Sequence, residues 1–283
     1  VLRTNPVYVV SKNATDAEKQ THEIFQIVRE YDNFLEPVKA YKSGVPKLVI
    51  TSLSYTQDGN AVVFSAKEAS SSKKEKQKNE KIYFADNLGA NFLNVKPFPF
   101  NADGFSCKNP AFNTNGTAVY FSSNQTGGLG GFDIWESKLE NGKWSKPVNL
   151  GKLLNTKNDE INPFLVQDGQ NHTLYFSSDR EGGFGAFDIY KAKNNTGIWQ
   201  DAEMQPAPIN SAGDDISIIY DSEVKTGYFS SNRMDGKGGF DVYRFIPFNL
   251  KLVVNAYDSL TEKTLDYALV QVFENGNKVY EGV

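Results

Sequence analysis

Three aspartates recur at one place in a repeated string and are the first residues to weigh as chemistry. Asp133, Asp188 and Asp241 close the glycine-rich turns Gly127-Gly128-Leu129-Gly130-Gly131-Phe132, Gly182-Gly183-Phe184-Gly185-Ala186-Phe187 and Gly236-Lys237-Gly238-Gly239-Phe240. A glycine loop with a carboxylate invites a metal-binding reading, but such a loop needs several oxygen ligands converging, and each turn carries a single carboxylate. Position suggests another role. On an extended strand Asp133 points away from the face shared by Phe132 and Ile134, into packed surroundings where a carboxylate needs donors. Glycine N–H groups free of Cβ obstruction, with the nearby serine hydroxyls, supply them. These aspartates are expected to hold turns, and neither metal nor cofactor is expected.

Two acidic doublets, Asp159-Glu160 and Asp214-Asp215, and two arginines, Arg180 and Arg233, recur in the same phase. A carboxylate pair suits glycoside hydrolysis only at one particular separation across a substrate, and a pair that repeats along the chain is a poor candidate for a unique site. Salt bridges between neighbouring units follow from the same placement. His22 and His172 accompany no Gly-x-Ser-x-Gly elbow and no His-Glu-x-x-His, so a Ser-His-Asp hydrolase is not expected. Cys107 reads as a small buried residue rather than a nucleophile. The run holding Lys73, Lys74, Lys76 and Lys78 reads as a solvated loop, or as a docking patch for an acidic partner. The chain is expected not to be an enzyme.

The elements that carry these residues repeat. Tyr120-Phe121-Ser122-Ser123 returns as Tyr175-Phe176-Ser177-Ser178 and Tyr228-Phe229-Ser230-Ser231, in steps of 55 and 53 residues. A weaker copy, Val63-Phe64-Ser65-Ala66, lies 57 residues before the first, and Tyr8-Val9-Val10-Ser11 precedes it by a similar step. Each clear copy leads through its glycine turn to a Phe-Asp strand; Lys81-Ile82-Tyr83-Phe84 and Glu23-Ile24-Phe25 fill that slot in the weaker ones. Hairpin signals such as Thr114-Asn115-Gly116 come before each copy and tryptophan strands at Trp144 and Trp199 after two of them. One unit is four short antiparallel strands, for example 161–167, 173–178, 187–192 and 198–204.

Sheets apolar on both faces need neighbours on both, and radial packing provides them while leaving only short edges. The expected fold class is all-β: a β-propeller of four-stranded antiparallel blades over residues 1–247, with five blades the first expectation and six the second. The first copy lacks an innermost strand and the last lacks an outermost one, which N-terminal residues are expected to supply. From Phe248 the pattern changes to alternating strands at 250–257 and 268–273 and a hairpin signal at Glu274-Asn275-Gly276-Asn277. Residues 248–283 are expected to be the N-terminal fragment of a β-sandwich domain.

Composition agrees: 20 Phe and 14 Tyr punctuated by 23 Gly and 11 Pro favour many short strands. A net charge of -4 with both signs interspersed gives no reason to expect nucleic acid or an anionic membrane surface as partner. No apolar run reaches the roughly 18 residues of a membrane-spanning helix, so no transmembrane segment is expected. The opening Val1-Leu2-Arg3-Thr4-Asn5-Pro6 shows neither initiator Met nor signal-peptide core, and the chain is expected to be a trimmed piece.

The repeated strings resemble the TolB-like, WD-like repeat of periplasmic envelope proteins of the Bacteroidota over roughly residues 1–247, most clearly over 101–245. Asp258-Ser259-Leu260-Thr261 and Ala268-Leu269-Val270 resemble the start of a carboxypeptidase-regulatory-like domain. In that group the order propeller, regulatory-like domain, OmpA-like peptidoglycan-binding domain is common. The resemblance implies a periplasmic, outer-membrane-associated protein of lipoprotein type: a scaffold of a type IX secretion or gliding machine, with protein partners from that complex and peptidoglycan reached only through a domain outside this chain. A glycan- or peptide-binding propeller is the alternative. Partner contacts are expected on the face collecting Asp159, Glu160, Arg180, Asp214, Asp215, Arg233 and the lysines 73, 74, 76 and 78.

Overall fold

The strand Ala118–Ser123 is buried along its whole length, on both faces. That happens only to a strand with packed neighbours on either side. In the computed structural model Val119 and Phe121 pack one way, with Val63, Ile82, Phe98 and Phe112, while Ala118 and Tyr120 pack the other way, with Leu154, Leu165 and Phe176. The core therefore lies between sheets, as a propeller requires. The structure describes residues 48–247 apart from 69–78, 89–90, 170, 196 and 222–224, with 7–12, 22–27, 29–30, 33–34, 38–39, 260, 261, 263, 270–274 and 277–282.

Four antiparallel blades follow one another. Blade I comprises Leu48–Tyr55, Ala61–Glu68, Lys81–Leu88 and Asn91–Pro97. Blade II comprises Cys107–Phe112, Ala118–Ser123 and Asp133–Glu140, its outer edge formed by the short pieces Lys143–Trp144 and Val148–Asn149. Blade III repeats this with Glu160–Asp168, Asn171–Ser178, Asp188–Asn195, Ile198–Trp199 and Glu203–Met204. Among the described residues blade IV has three strands, Asp215–Asp221, Thr226–Ser231 and Asp241–Phe245.

Register makes the repeat exact at the residue level. Phe121 faces Trp135, Phe176 faces Tyr190 and Phe229 faces Tyr243 across the second and third strands. The pairs in blades III and IV stack at 6.0 and 5.6 Å. In blade I the pair is Phe64 and Tyr83, at 5.5 Å.

The blade count corrects the sequence expectation: among the described residues there are four, not five or six. Tyr8-Val9-Val10-Ser11 does lie on a strand, but Val7–Lys12 pairs with His22–Ile27 in a separate three-stranded sheet completed by Val38–Lys39. Among the described residues that sheet has no counterpart of a blade's first strand, and Val7–Lys12 does not complete blade IV. Counting Tyr-Phe-Ser-Ser strings counts second strands, and one of them stands outside the series.

The chain divides into two compact units, Val1–Ile246 and Pro247–Val283. In the second, Val270–Glu274 and Asn277–Gly282 form an antiparallel hairpin closed by the pair Glu274 and Asn277. The strand expected at 250–257 lies outside the described residues.

Phe176 is fully buried between blades II and III. Phe176→Ala is expected to lower the free energy of unfolding by about 3–5 kcal/mol in urea titration; a loss under about 1 kcal/mol would contradict this packing.

Candidate functional site

Each glycine turn is wrapped around its aspartate. Asp188 Oδ2 accepts the N–H groups of Phe184 and Gly185 at 2.8 and 3.1 Å. Asp241 Oδ2 accepts those of Lys237 and Gly238 at 2.6 and 3.1 Å. Asp133 Oδ2 accepts the N–H of Leu129 and the amide of Asn149. A Cβ on Gly128, Gly183 or Gly236 would collide with the carboxylate, which is why the turn needs glycine there. A ring of N–H donors suits an anion holding a turn and is the reverse of a cation's ligand set. Burial pushes the Asp133 and Asp188 carboxyls above their usual range, against the pull of these hydrogen bonds. Their Oδ1 atoms are buried without a partner.

The linkers between blades carry residues that sequence reasoning missed. Asn155, fully buried, accepts the N–H of Ile134 at 2.8 Å and donates to the Ile134 carbonyl at 3.0 Å. Asn210 does the same to Ile189, at 2.8 and 2.9 Å, and Asn101 to Ile82, at 2.9 and 2.7 Å. A primary amide offers a donor and an acceptor side by side; here it alone accepts the N–H of one edge residue and shares that residue's carbonyl with a backbone N–H, of Phe98, Leu150 or Gln205. The signal was present: Asn101, Asn155 and Asn210 follow the repeat period.

A few residues later each linker closes the joint. Asp159 Oδ1 accepts the Phe132 N–H at 2.7 Å while the Glu160 N–H donates to the Phe132 carbonyl. Asp214 and Asp215 repeat this on Phe187, at 3.0 and 2.8 Å. Between blades I and II Ser106 Oγ stands in for the aspartate, accepting the Glu80 N–H at 3.2 Å, and the Cys107 N–H donates to the Glu80 carbonyl at 2.9 Å.

Glu160 and Asp215 are fully buried. Glu160 accepts from Thr156 N–H and Oγ1 at 2.8 and 2.7 Å, from Ser178 Oγ at 2.8 Å and from Arg180 at 3.2 Å. Asp215 accepts from Ser211 N–H and Oγ at 2.6 and 2.9 Å and from Arg233 at 2.7 Å. Each arginine also donates into its linker, Arg180 to the Leu154 carbonyl at 2.6 Å and Arg233 to that of Ile209 at 2.9 Å. The guanidinium groups lie 4.4 Å from the Tyr190 ring and 4.6 Å from that of Tyr243. Burial raises the Glu160 carboxyl above its usual range in spite of these donors.

This placement changes what was expected of these residues. Asp159, Glu160, Arg180, Asp214, Asp215 and Arg233 do come together, but as the cement of the joints rather than as an exposed face. The ion pairs form within blades III and IV, not between neighbouring blades. The inter-blade contacts of Asp159 and Asp214 are to backbone N–H groups. Lys73, Lys74, Lys76 and Lys78 lie outside the described residues. Cys107 is buried, and burial pushes its thiol up to about 11, so it offers no thiolate. His172 lies 3.1 Å from the Gln167 amide on a hairpin, away from the joints, and His22 sits on a strand of the N-terminal sheet.

The glycine turns also present apolar side chains outward. Leu129 and Phe184, at matching places on the glycine turns of blades II and III, are about half exposed. The turn backbone is pinned by the aspartate, so each tip holds its side chain on a rigid base.

No protein-family model and no curated protein matches this chain. Among solved structures it is similar to TolB from Acinetobacter baumannii, at 16% identity over 96% of this chain with a TM-score of 0.49; the chain spans 59% of that protein's length. It is also similar to the endo-arabinase of Bacteroides thetaiotaomicron, at 13% identity over 86% of this chain and 89% of the enzyme, TM-score 0.53. A third is the exo-β-1,3-galactanase of Clostridium thermocellum, at 11% identity over 94% and 64%, TM-score 0.54. At such identities the likeness to the two enzymes is one of fold alone.

Two outcomes follow from the site. Asp133, Asp188 and Glu160 all hold protons more tightly folded than unfolded. The folded chain therefore keeps protons that the unfolded chain has lost, and stability falls as pH rises from the usual carboxylate range through the raised values. Asp188→Asn keeps the acceptor for the turn and should flatten that fall in urea titrations across pH; an unchanged slope would contradict the assignment. In blade II the positions of the ion pair hold Cys107 and Gln125, neither charged: Cys107 pairs with Ser123 as Glu160 pairs with Ser178. Arg180→Gln alone should cost about 3–5 kcal/mol, and Glu160→Cys with Arg180→Gln distinctly less than the sum of the singles; additive losses would count against a coupled pair.

Proposed function

We propose that this chain is a non-catalytic interaction scaffold of the bacterial periplasm. In that reading it is associated with the outer membrane as part of a type IX secretion or gliding machine. The observation that carries it is the fate of the recurring charged residues. Asp133, Asp188, Glu160 and Asp215 are buried in turns and joints that repeat from blade to blade, each engaged by donors of its own linker or turn. A group held this way builds a frame. Chemistry at one unique place calls for residues that break the repeat, and here these acids recur, Asp133 with Asp188 and Glu160 with Asp215. The exposed Leu129 and Phe184 tips on that frame suit contact with protein. The periplasmic and type IX assignment draws on the Tyr-Phe-Ser-Ser and glycine-turn strings, which resemble those of the envelope proteins named above.

Photocrosslinking from positions 129 and 184 in a Bacteroidota host should recover proteins of the envelope secretion complex, and Leu129→Asp with Phe184→Asp should weaken that association while changing stability by no more than about 0.5 kcal/mol each. Incubation with arabinan and β-1,3-galactan should release no reducing ends; release that disappears with Asp159→Asn or Asp215→Asn would overturn the reading.

A further inference from the structure

The joint that follows blades I, II and III has a recognisable chemistry, and blade IV has the receiving half of it. Ile82, Ile134 and Ile189 occupy one position on the third strands of blades I to III, and all three are fully buried. The same position in blade IV is Val242, opposite Ser230 as Ile134 is opposite Ser122. Val242 is 50% exposed. Phe240, the counterpart of Phe132 and Phe187, is 52% exposed, and Ile246 beyond it 53%. Among the described residues no asparagine amide takes the backbone of Val242, and no carboxylate or N–H meets the backbone of Phe240 as at Phe132 and Phe187. Among the described residues the third strand of blade IV is also a sheet edge, where those of blades II and III are covered by a fourth strand.

After blades II and III this surface is covered by one kind of short segment. It brings an asparagine, then Thr156 or Ser211, then Asp159-Glu160 or Asp214-Asp215: Asn-(Ser/Thr)-x-x-Asp-(Asp/Glu). The asparagine reads one backbone unit, the first acid caps the N–H two residues earlier in the strand, and a flanking strand fills the edge. We propose that the open side of blade IV is a docking site for a segment of this chemistry donated by a partner protein, which would add its strand to the edge and its asparagine to Val242. This mode combines backbone pairing for affinity with two side chains for specificity. It concerns the side of blade IV and holds whether or not the turn tips of blades II and III bind partners.

The chain's own linker is the probe. A fluorescein-labelled peptide of Glu203–Ile218, EMQPAPINSAGDDISI, titrated with the whole 283-residue protein, should give saturable one-to-one binding by fluorescence anisotropy. Alanine in the peptide at the place of Asn210 or Asp214 should weaken binding about tenfold, the equivalent of about 1.4 kcal/mol. Val242→Asp in the protein should abolish it with an unchanged thermal transition, and Phe240→Asp serves as a second variant at an equally exposed position. Absence of saturable binding to the wild-type protein, or binding that survives both protein variants, would overturn the proposal. So would a wild-type dimer in sedimentation that dissociates in Val242→Asp, because a second copy would then be the occupant.

Discussion

The structure depends on how one buried strand edge is satisfied. Where a blade's third strand turns toward its neighbour, a single residue leaves both its N–H and its C=O pointing into a packed interior, and each unpaired group there would cost about 1–3 kcal/mol. Asn101, Asn155 and Asn210 take the N–H with one side chain apiece and add a donor to a carbonyl that also accepts the N–H of Phe98, Leu150 or Gln205. Because the amide must reach a fixed backbone unit, it fixes the path of the linker. The next acid or Ser106 then caps the N–H two residues earlier, and the following first strand begins against the neighbouring blade. Glycine turns, acids and arginines fall in place around that geometry.

The charged residues take their meaning from it. Glu160 with Arg180 and Asp215 with Arg233 tie the first strand of a blade to the loop after its second strand, and each arginine also draws in the linker carbonyl. A buried pair of this kind is weak evidence of net stability, since uncharged residues can replace it. Blade II is the natural experiment: Cys107 and Gln125 occupy the positions of both partners, so neither charge is left alone. In blade I the position of the acid is Ile50, opposite Ala66, again without a buried carboxylate. The frame keeps its amide joint after blades I, II and III and varies the ion pair.

Much of this was legible in the sequence. The strands read at 161–167 and 173–178 are Glu160–Asp168 and Asn171–Ser178, because period-two burial and the glycine turns leave little freedom. The blade count was misread because the Tyr-Phe-Ser-Ser string marks a second strand wherever one occurs. Joints are the better measure: three asparagine joints link four sheets, and residues 40–47, which lead into blade I, contain no asparagine. The acids and arginines were found, but their location was not, since a carboxylate in a linker reads as solvated until the hydroxyls of Thr156, Ser178 and Ser211 are seen around it. The asparagines were passed over because Asn is common in loops; only its period set these three apart.

The central claim is that these amides satisfy one N–H on the third strand of blades I, II and III that strand pairing leaves open. Asn155→Ala removes the acceptor of the Ile134 N–H and leaves the Asn210 joint intact. Native-state hydrogen exchange read at individual amides tests the claim most directly: the Ile134 amide should lose protection in the variant by about 1–3 kcal/mol relative to the Ile189 amide. Equal protection of the two amides, with Asn155 gone, would contradict it.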